Sequence, residues 1–287
     1  AVGASRELCE KGGDGEVNGT VSARQPGSSF KPIVYAAAFD KGYLPGTELY
    51  DTVTSFKTDG PDYTPRNYNL REYGPVTLRK ALQGSLNIPA VKVLYLVGLG
   101  RALDFADQLG YTTLKDRSRF GLSLVLGGGD VTPLEHAHAF SAFANDGLQM
   151  PLAPILKVES SNGKVLSEWK AAPGNQVVRE QTARLLNNVL SDNEARTYIF
   201  GSRNSLTLDR PVAAKTGTTS DYYDAWTVGY TPNLLAVVWV GNTKYVPMKR
   251  GSDSSTVAAP IWQAYMKEAV KKLPKETFKA PEAPAEA

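Results

Sequence analysis

The sequence is short of cysteine, histidine and long apolar runs, and each shortage removes a class of explanation. Cys9 is the only cysteine in 287 residues, so no intrachain disulfide holds the fold and no C-x-x-C pair exists for metal or redox work. It sits among charged residues and glycines near the start of the chain, a setting that does not read as a nucleophile. No run of about 20 apolar residues occurs, so nothing reads as a membrane span. The opening AVGASRELCE has no apolar signal-peptide core, and the chain reads as a piece of a longer protein. Charge is also undistinguished. There are 32 Lys and Arg against 29 Asp and Glu, a net +3. The densest basic spots, Lys249-Arg250 and Lys271-Lys272, are too short for a nucleic-acid footprint.

Histidine is nearly absent. His136 and His138 are the only two, and positions two apart on a helix point to different faces, so they make a poor metal pair. Neither reads as a catalytic base, and no G-x-S-x-G elbow accompanies them. A Ser-His-Asp hydrolase is therefore disfavoured, and neither a metal nor a cofactor is expected.

What is present is enough for a large core, at 42% hydrophobic residues. The pattern predicts one domain over residues 1–274 and a flexible Ala/Pro/Glu-rich tail over 275–287. Residues 28–41 predict a helix closed by Gly42, with Pro32 in its first turns. Residues 43–75, rich in Gly, Pro, Tyr and Asp, predict mostly loop. Helical patterns follow in TLRKALQG, PAVKVLYLVG and RALDFADQLG, each ending in Gly. Residues 132–145 predict another helix, with Thr132 at the N-cap and Pro133 at N1. VAAKTG, DAWTVGYT and NLLAVVWVGN read as strands, the last two joined through YTPN, and APIWQAYMKEAVKK as a closing helix. The succession predicts an α+β fold with α/β layering: an antiparallel sheet flanked by helices, plus a mostly helical subdomain.

Three short motifs carry chemistry. Ser28-Ser29-Phe30-Lys31 is S-x-x-K, Ser85-Leu86-Asn87 is S-x-N, and Lys215-Thr216-Gly217 is K-T-G, followed by Thr218. Ser28 at a helix start faces the positive end of the helix dipole, and Lys31 shares that face. A lysine desolvated beside other cations loses its proton near neutral pH and can activate the serine. Ser85 and Asn87, on a loop between helices, can point into a cleft. There the hydroxyl can relay a proton to a leaving amine, and the amide can donate to a substrate carbonyl while accepting from a lysine. On the K-T-G strand, Gly217 would let a substrate backbone approach. Thr216 and Thr218 would bind a carboxylate in the field of Lys215. The backbone N–H groups of Ser28 and Thr218 would form an oxyanion hole, where one donor is worth roughly 3–4 kcal/mol. Each motif alone is a common chance event. Their order, spacing and placement together are not.

The segments around these motifs resemble class A (bifunctional, high-molecular-mass) penicillin-binding proteins. Arg24-Gln25-Pro26-Gly27-Ser28-Ser29-Phe30-Lys31-Pro32 is similar to their nucleophile segment. SLNIPAVKVLYLVG, LGGGDVTPLEHAHAFSAFANDG, AAKTGTTSDYYDAWTVGYTP, VVWVGN and AAPIW follow in the family's order, over roughly residues 17–268. The resemblance implies a β-lactamase/transpeptidase-like fold and a peptidoglycan DD-transpeptidase. Ser28 would be the nucleophile, Lys31 the general base and Ser85 the proton relay. Asn87 would orient the stem peptide, and Lys215, Thr216 and Thr218 would bind its terminal carboxylate. Asp224 and Trp226 also fit the family pattern, but read physically as structural.

The implied donor is a stem peptide ending in D-Ala-D-Ala, and the implied acceptor is a neighbouring strand's amine. β-Lactams would be trapped as esters on Ser28. A membrane anchor and a glycosyltransferase domain are expected in the full-length protein. No E-D-x-x-F-x-x-H stretch is present here, so glycan polymerisation is not expected of this chain. The substrate implies an extracytoplasmic location. Three other readings stay open: a β-lactamase, a DD-carboxypeptidase and a non-catalytic β-lactam sensor. The first is disfavoured because no Glu lies between Glu72 and Glu135 to activate a deacylating water. All three motifs are intact, which disfavours the sensor. The motifs themselves do not separate carboxypeptidase from transpeptidase.

Overall fold

The structure, a computed structural model, describes residues 17–58 and 60–283. Cys9 lies outside them. The nucleophile segment begins as a tight 3-10 turn over Gly27–Phe30 and continues as α1, Lys31–Asp40. The predicted helix is therefore two pieces: Ser28 sits in the turn, and Lys31 is the first residue of α1. Residues of α1 up to Phe39 are all buried, because helices pack against it from several sides.

The stretch predicted as loop holds two short strands. β1, Glu48–Asp51, pairs antiparallel with β2, Gly74–Thr77. Four residues are too few to show a period in sequence, which is why they were not legible. The helical block follows as α2 (Leu78–Gln83), α3 (Asn87–Val97) and α4 (Leu99–Gln108). The next helix, α5 (Pro133–Ala144), starts with a capping box: the Thr132 hydroxyl accepts from Glu135 N, and the Glu135 carboxylate accepts from Thr132 N.

Between α5 and the main sheet the chain makes two small sheets. β3 (Leu148–Gln149) pairs with β6 (Asn175–Gln176), and β4 (Lys157–Glu159) pairs with β5 (Val165–Glu168). Two helices then follow where the sequence reading placed no element, α6 (Glu180–Leu190) and α7 (Asn193–Phe200).

The main sheet is the antiparallel order β7–β8–β9: Ala213–Thr218, Asp224–Thr231 and Leu234–Gly241. Thr231 pairs with Leu234 across the expected tight turn. Period-two alternation assigns the two faces. Trp226, Val228, Tyr230, Leu235, Val237 and Trp239 belong to the main core, on the sheet side packed by α5 and α6. Leu234, Ala236 and Val238 face the last helix, α8 (Ala258–Ala269), with its Trp262 and Met266. Trp262 lies flat enough on β8 that a Cβ at Gly229 would fall 2.3 Å from its ring. Helices thus cover both sheet faces, with the helical block on one side, as the α+β reading predicts. No helix of the described residues is long and apolar enough to cross a membrane.

Residues 275–283 form no helix or strand, yet they lie along the body rather than away from it. Phe278 stands edge-on to Tyr230 at 5.7 Å, Lys279 pairs with Asp146 at 2.7 Å, and Gln181 exchanges two hydrogen bonds with the Glu282 backbone. Phe278→Ala is expected to lower unfolding free energy by about 1 kcal/mol, the value of a half-buried ring. Urea denaturation measures it, and a tail loose in solution would give no change.

Candidate active site

The site is built where the 3-10 turn, the α2–α3 connection and the end of β7 meet, in a cleft of about 1150 Å³. Ser28, Ser85, Asn87, Thr216 and Thr218 all line it.

The turn and the strand interlock. Gly27 has φ +55°, and a Cβ there would lie 2.6 Å from the Thr218 carbonyl, so only glycine serves. A Cβ on Gly217 would lie 2.1 Å from the Pro26 carbonyl and 2.6 Å from Ser29 N. In the structure the close approach that Gly217 permits is to the nucleophile turn. The same interlock sets the turn that carries Ser28 against the end of β7.

Ser85 has φ +56° in the turn after α2. Asn87 is not in the loop, as the sequence suggested, but is the first residue of α3. Around them runs one network. Lys31 Nζ donates to the Ser85 carbonyl at 2.6 Å and to Asn87 Oδ1 at 2.8 Å, with Ser85 Oγ 3.5 Å away. Lys215 Nζ lies 2.8 Å from Ser85 Oγ and 2.8 Å from the Thr216 carbonyl. Both lysines are buried. Burial, then the neighbouring Lys215, drives the Lys31 ammonium well below its usual range, against an opposing pull from Asp51. Burial, then Arg196, lowers Lys215 to about 7. A neutral Lys31 amine has two N–H bonds, which its two acceptors use, and its lone pair is left over. That is the protonation state a general base requires.

Asn87 is held at both ends. Its Nδ2 donates to the Arg66 carbonyl at 2.9 Å and keeps a second N–H on a cleft-lining residue. Its backbone N–H donates to Asn67 Oδ1 at 2.8 Å. Sequence reasoning missed Asn67. It caps α3 from 20 residues away, since Leu86 at the N-cap has no side chain able to do so. Its amide in turn donates to the buried Asp51 carboxylate and to the Arg71 carbonyl. No sequence spacing announces a cap supplied from that distance.

Thr218 Oγ1 is engaged by Ser254, through its hydroxyl at 3.1 Å and its backbone N–H at 3.0 Å. At the cleft mouth, Tyr68 from the Asn67 segment meets Tyr222 from the β7–β8 connection, hydroxyl to hydroxyl at 3.0 Å. Asp224 and Trp226 behave as framework. Trp226 Nε1 donates to the Gln25 carbonyl at 2.8 Å, and Asp224 accepts from Trp239 Nε1 at 2.9 Å. Among the described residues no cluster of His, Cys, Asp and Glu could hold a metal ion.

Comparison with known proteins bears on this geometry. The sequence profile of the penicillin binding protein transpeptidase domain matches residues 15–267. Penicillin-binding protein 1A of Neisseria lactamica is 34% identical over 271 residues, covering 92% of this chain and 33% of its own length. That of Aquifex aeolicus is 37% identical over 263 residues, covering 90% and 35%. The chain thus spans about a third of the length of these curated relatives. The structure of penicillin-binding protein 1A from Haemophilus influenzae superposes with a TM-score of 0.84 at 26% identity, over 93% of this chain and 45% of that one. PonA1 from Mycobacterium tuberculosis, in complex with penicillin V, gives 0.79 at 29% identity, over 93% and 74%.

Two outcomes follow from the network. Asn67→Ala uncaps α3 and strands Asp51, at an expected cost of about 1–3 kcal/mol in denaturant unfolding; a loss within error would refute the capping role. Lys215 falls from 10.5 to about 7 on folding, so between those values the unfolded chain holds a proton that the folded one lacks. Stability from this group therefore rises with pH across that window and is lost as pH falls through it. The stability of wild type relative to Lys215→Met should grow between about pH 7 and about pH 9. Parallel curves would show that Lys215 keeps its proton when buried.

Proposed function

Because the chain belongs to the penicillin-binding protein transpeptidase domain family, we propose that it is a serine DD-transpeptidase that cross-links peptidoglycan stem peptides and is acylated by β-lactams. The observation that carries the reading is the Lys31–Ser85–Asn87–Lys215 network beside Ser28 in one cleft, a lysine-based means of activating a serine.

On this reading Ser28 Oγ attacks the carbonyl between the two terminal D-alanines while Lys31 Nζ takes its proton. The tetrahedral oxyanion is held by the N–H groups of Ser28 and Thr218. The C–N bond breaks, and the departing D-alanine amine receives the proton through Ser85 Oγ. An acceptor amine then attacks the ester, Lys31 takes its proton, and Ser28 leaves with a proton returned along the same path. Asn87 orients the stem peptide with its remaining N–H. Thr216, Thr218 and Lys215 hold the terminal carboxylate. The glycosyltransferase domain, membrane anchor and extracytoplasmic setting of a class A protein belong to this proposal as features of the full-length protein.

Slow deacylation is favoured over β-lactamase behaviour by what lines the cleft. No glutamate does. Glu135 is committed to its capping box and to Thr112, and Glu72 accepts from Val53 N. The test is intact-protein mass spectrometry after mixing with benzylpenicillin. A one-drug adduct lasting hours, absent from Ser28→Ala, is expected. Rapid loss of the adduct with drug turnover would make the chain a β-lactamase, and no adduct would refute the mechanism.

A further inference from the structure

We propose that His136, which the acyl-transfer mechanism does not use, is a positioning residue that fixes the turn presenting Ser28 by way of the Ser29 hydroxyl. The inference rests on Ser28 being the nucleophile.

His136 sits on α5 with no exposed surface. Its ring lies among Tyr111, Phe140 and Trp226, with the nearest centroid at 4.9 Å. Its Nδ1 is 2.8 Å from the Tyr111 hydroxyl and its Nε2 is 3.1 Å from Ser29 Oγ. Ser29 Oγ is also 2.7 Å from the Pro26 carbonyl oxygen.

Counting protons orders this chain. The Pro26 carbonyl can only accept, so the one Ser29 hydroxyl proton goes to it. Ser29 Oγ must then accept, so His136 Nε2 carries the hydrogen. Nδ1 is left bare and accepts from the Tyr111 hydroxyl. One tautomer of a neutral imidazole satisfies every group, and burial holds His136 neutral by lowering it to about 3. A protonated ring would make Nδ1 a donor, so the Tyr111 hydroxyl would lose the acceptor for its own proton.

The target of this chain is the backbone on both sides of Ser28. Pro26 precedes the left-handed Gly27, and Ser29 follows the nucleophile. The Pro26 carbonyl also accepts from Ser29 N at 3.2 Å, which closes the turn. An apolar residue at 136 would leave the Ser29 hydroxyl without its donor and the Tyr111 hydroxyl without its acceptor, inside the core.

The test separates noncovalent β-lactam binding from the acylation step by stopped-flow and mass spectrometry. His136→Leu and Ser29→Ala should each slow acylation about 10- to 100-fold, as expected for a displaced nucleophile. The noncovalent dissociation constant should stay within about twofold. His136→Gln offers an N–H and a carbonyl toward the same two partners and should stay within about threefold of wild type. The Leu/Ala double variant should be no slower than the slower single variant, because both break one chain. A folded His136→Leu that acylates at the wild-type rate, a Gln variant as slow as Leu, or multiplying effects in the double variant would each overturn the proposal. Should His136→Leu not fold, Ser29→Ala decides: a wild-type rate there overturns it equally. Wild type that gains no adduct on Ser28 would sink the nucleophile assignment and this proposal together, whereas a labelled wild type with an equally fast Leu variant sinks this one alone.

Discussion

Two buried lysines reach toward one serine hydroxyl, and the rest of the site follows from that. Lys31 and Lys215 approach Ser85 Oγ at 3.5 Å and 2.8 Å, and both are shut away from solvent. Two ammonium groups so placed repel each other in a medium that screens poorly. Burial disfavours each charge before the neighbour is considered. Behind Lys215, Arg196 adds a third cation with no exposed route to water; its Nε and Nη1 have no partner among the described residues. The three form a sequence in which the outer charge depresses Lys215 and Lys215 depresses Lys31. Asp51 pulls the other way but is occupied by Asn67 and by the Tyr73 backbone N–H. The result is a lysine whose charged form is strongly disfavoured beside the Ser85 hydroxyl, without help from histidine.

Two lysines with so little hold on their protons are useful only if they are aimed, and several buried polar groups serve that end. Asn67 ties α3 to Asp51 and so sets Asn87 against Lys31. Trp226 holds the Gln25 carbonyl, and the Ser29–Pro26 bond holds the turn itself. Gly27, Gly217 and Gly127 leave no room for a side chain where three segments cross: a Cβ at Gly127 would fall 2.2 Å from Gly27 N. These constraints converge on one short turn, so a displacement there moves Ser28 relative to Thr218, the two residues proposed to supply the oxyanion donors.

The three motifs were legible because each is local and tied to a recognisable element: Ser28 before α1, Ser85 before α3, and Lys215-Thr216-Gly217 within β7. The hairpin of β8 and β9 was legible because its alternation is dictated by cores on both faces. The cap of α5 was legible because Thr132 and Glu135 are three apart and bond each other. What escaped was made of contacts remote in sequence. Asn67 caps a helix that begins at residue 87, and Gly217 is explained only by a turn at 26–29. β1 and β2 pair across 22 intervening residues with nothing periodic in either. The sequence disfavours His136 as a catalytic base, and no linear pattern shows that its two nitrogens find Tyr111 and Ser29.

The proton inventory also bears on how an acyl-enzyme here would be resolved. On the proposed reading Lys31 receives a proton when Ser28 attacks and loses it to the departing amine through Ser85, so it is neutral again once the donor's last residue has left. An incoming amine meets the same base that served acylation, and it is intrinsically more nucleophilic than water. Water needs stronger assistance, and the carboxylates that could give it are badly placed. Asp221 is exposed and Asp253 only half-buried, both in connections that line the cleft, whose other lining residues include hydroxyls, amides and glycines but no glutamate. On the proposed reading, one lysine base without a glutamate lining the cleft is better suited to an amine acceptor than to water. On the same proposed reading, a β-lactam whose leaving group stays tethered would leave an ester on Ser28 with no glutamate in the cleft to drive its release.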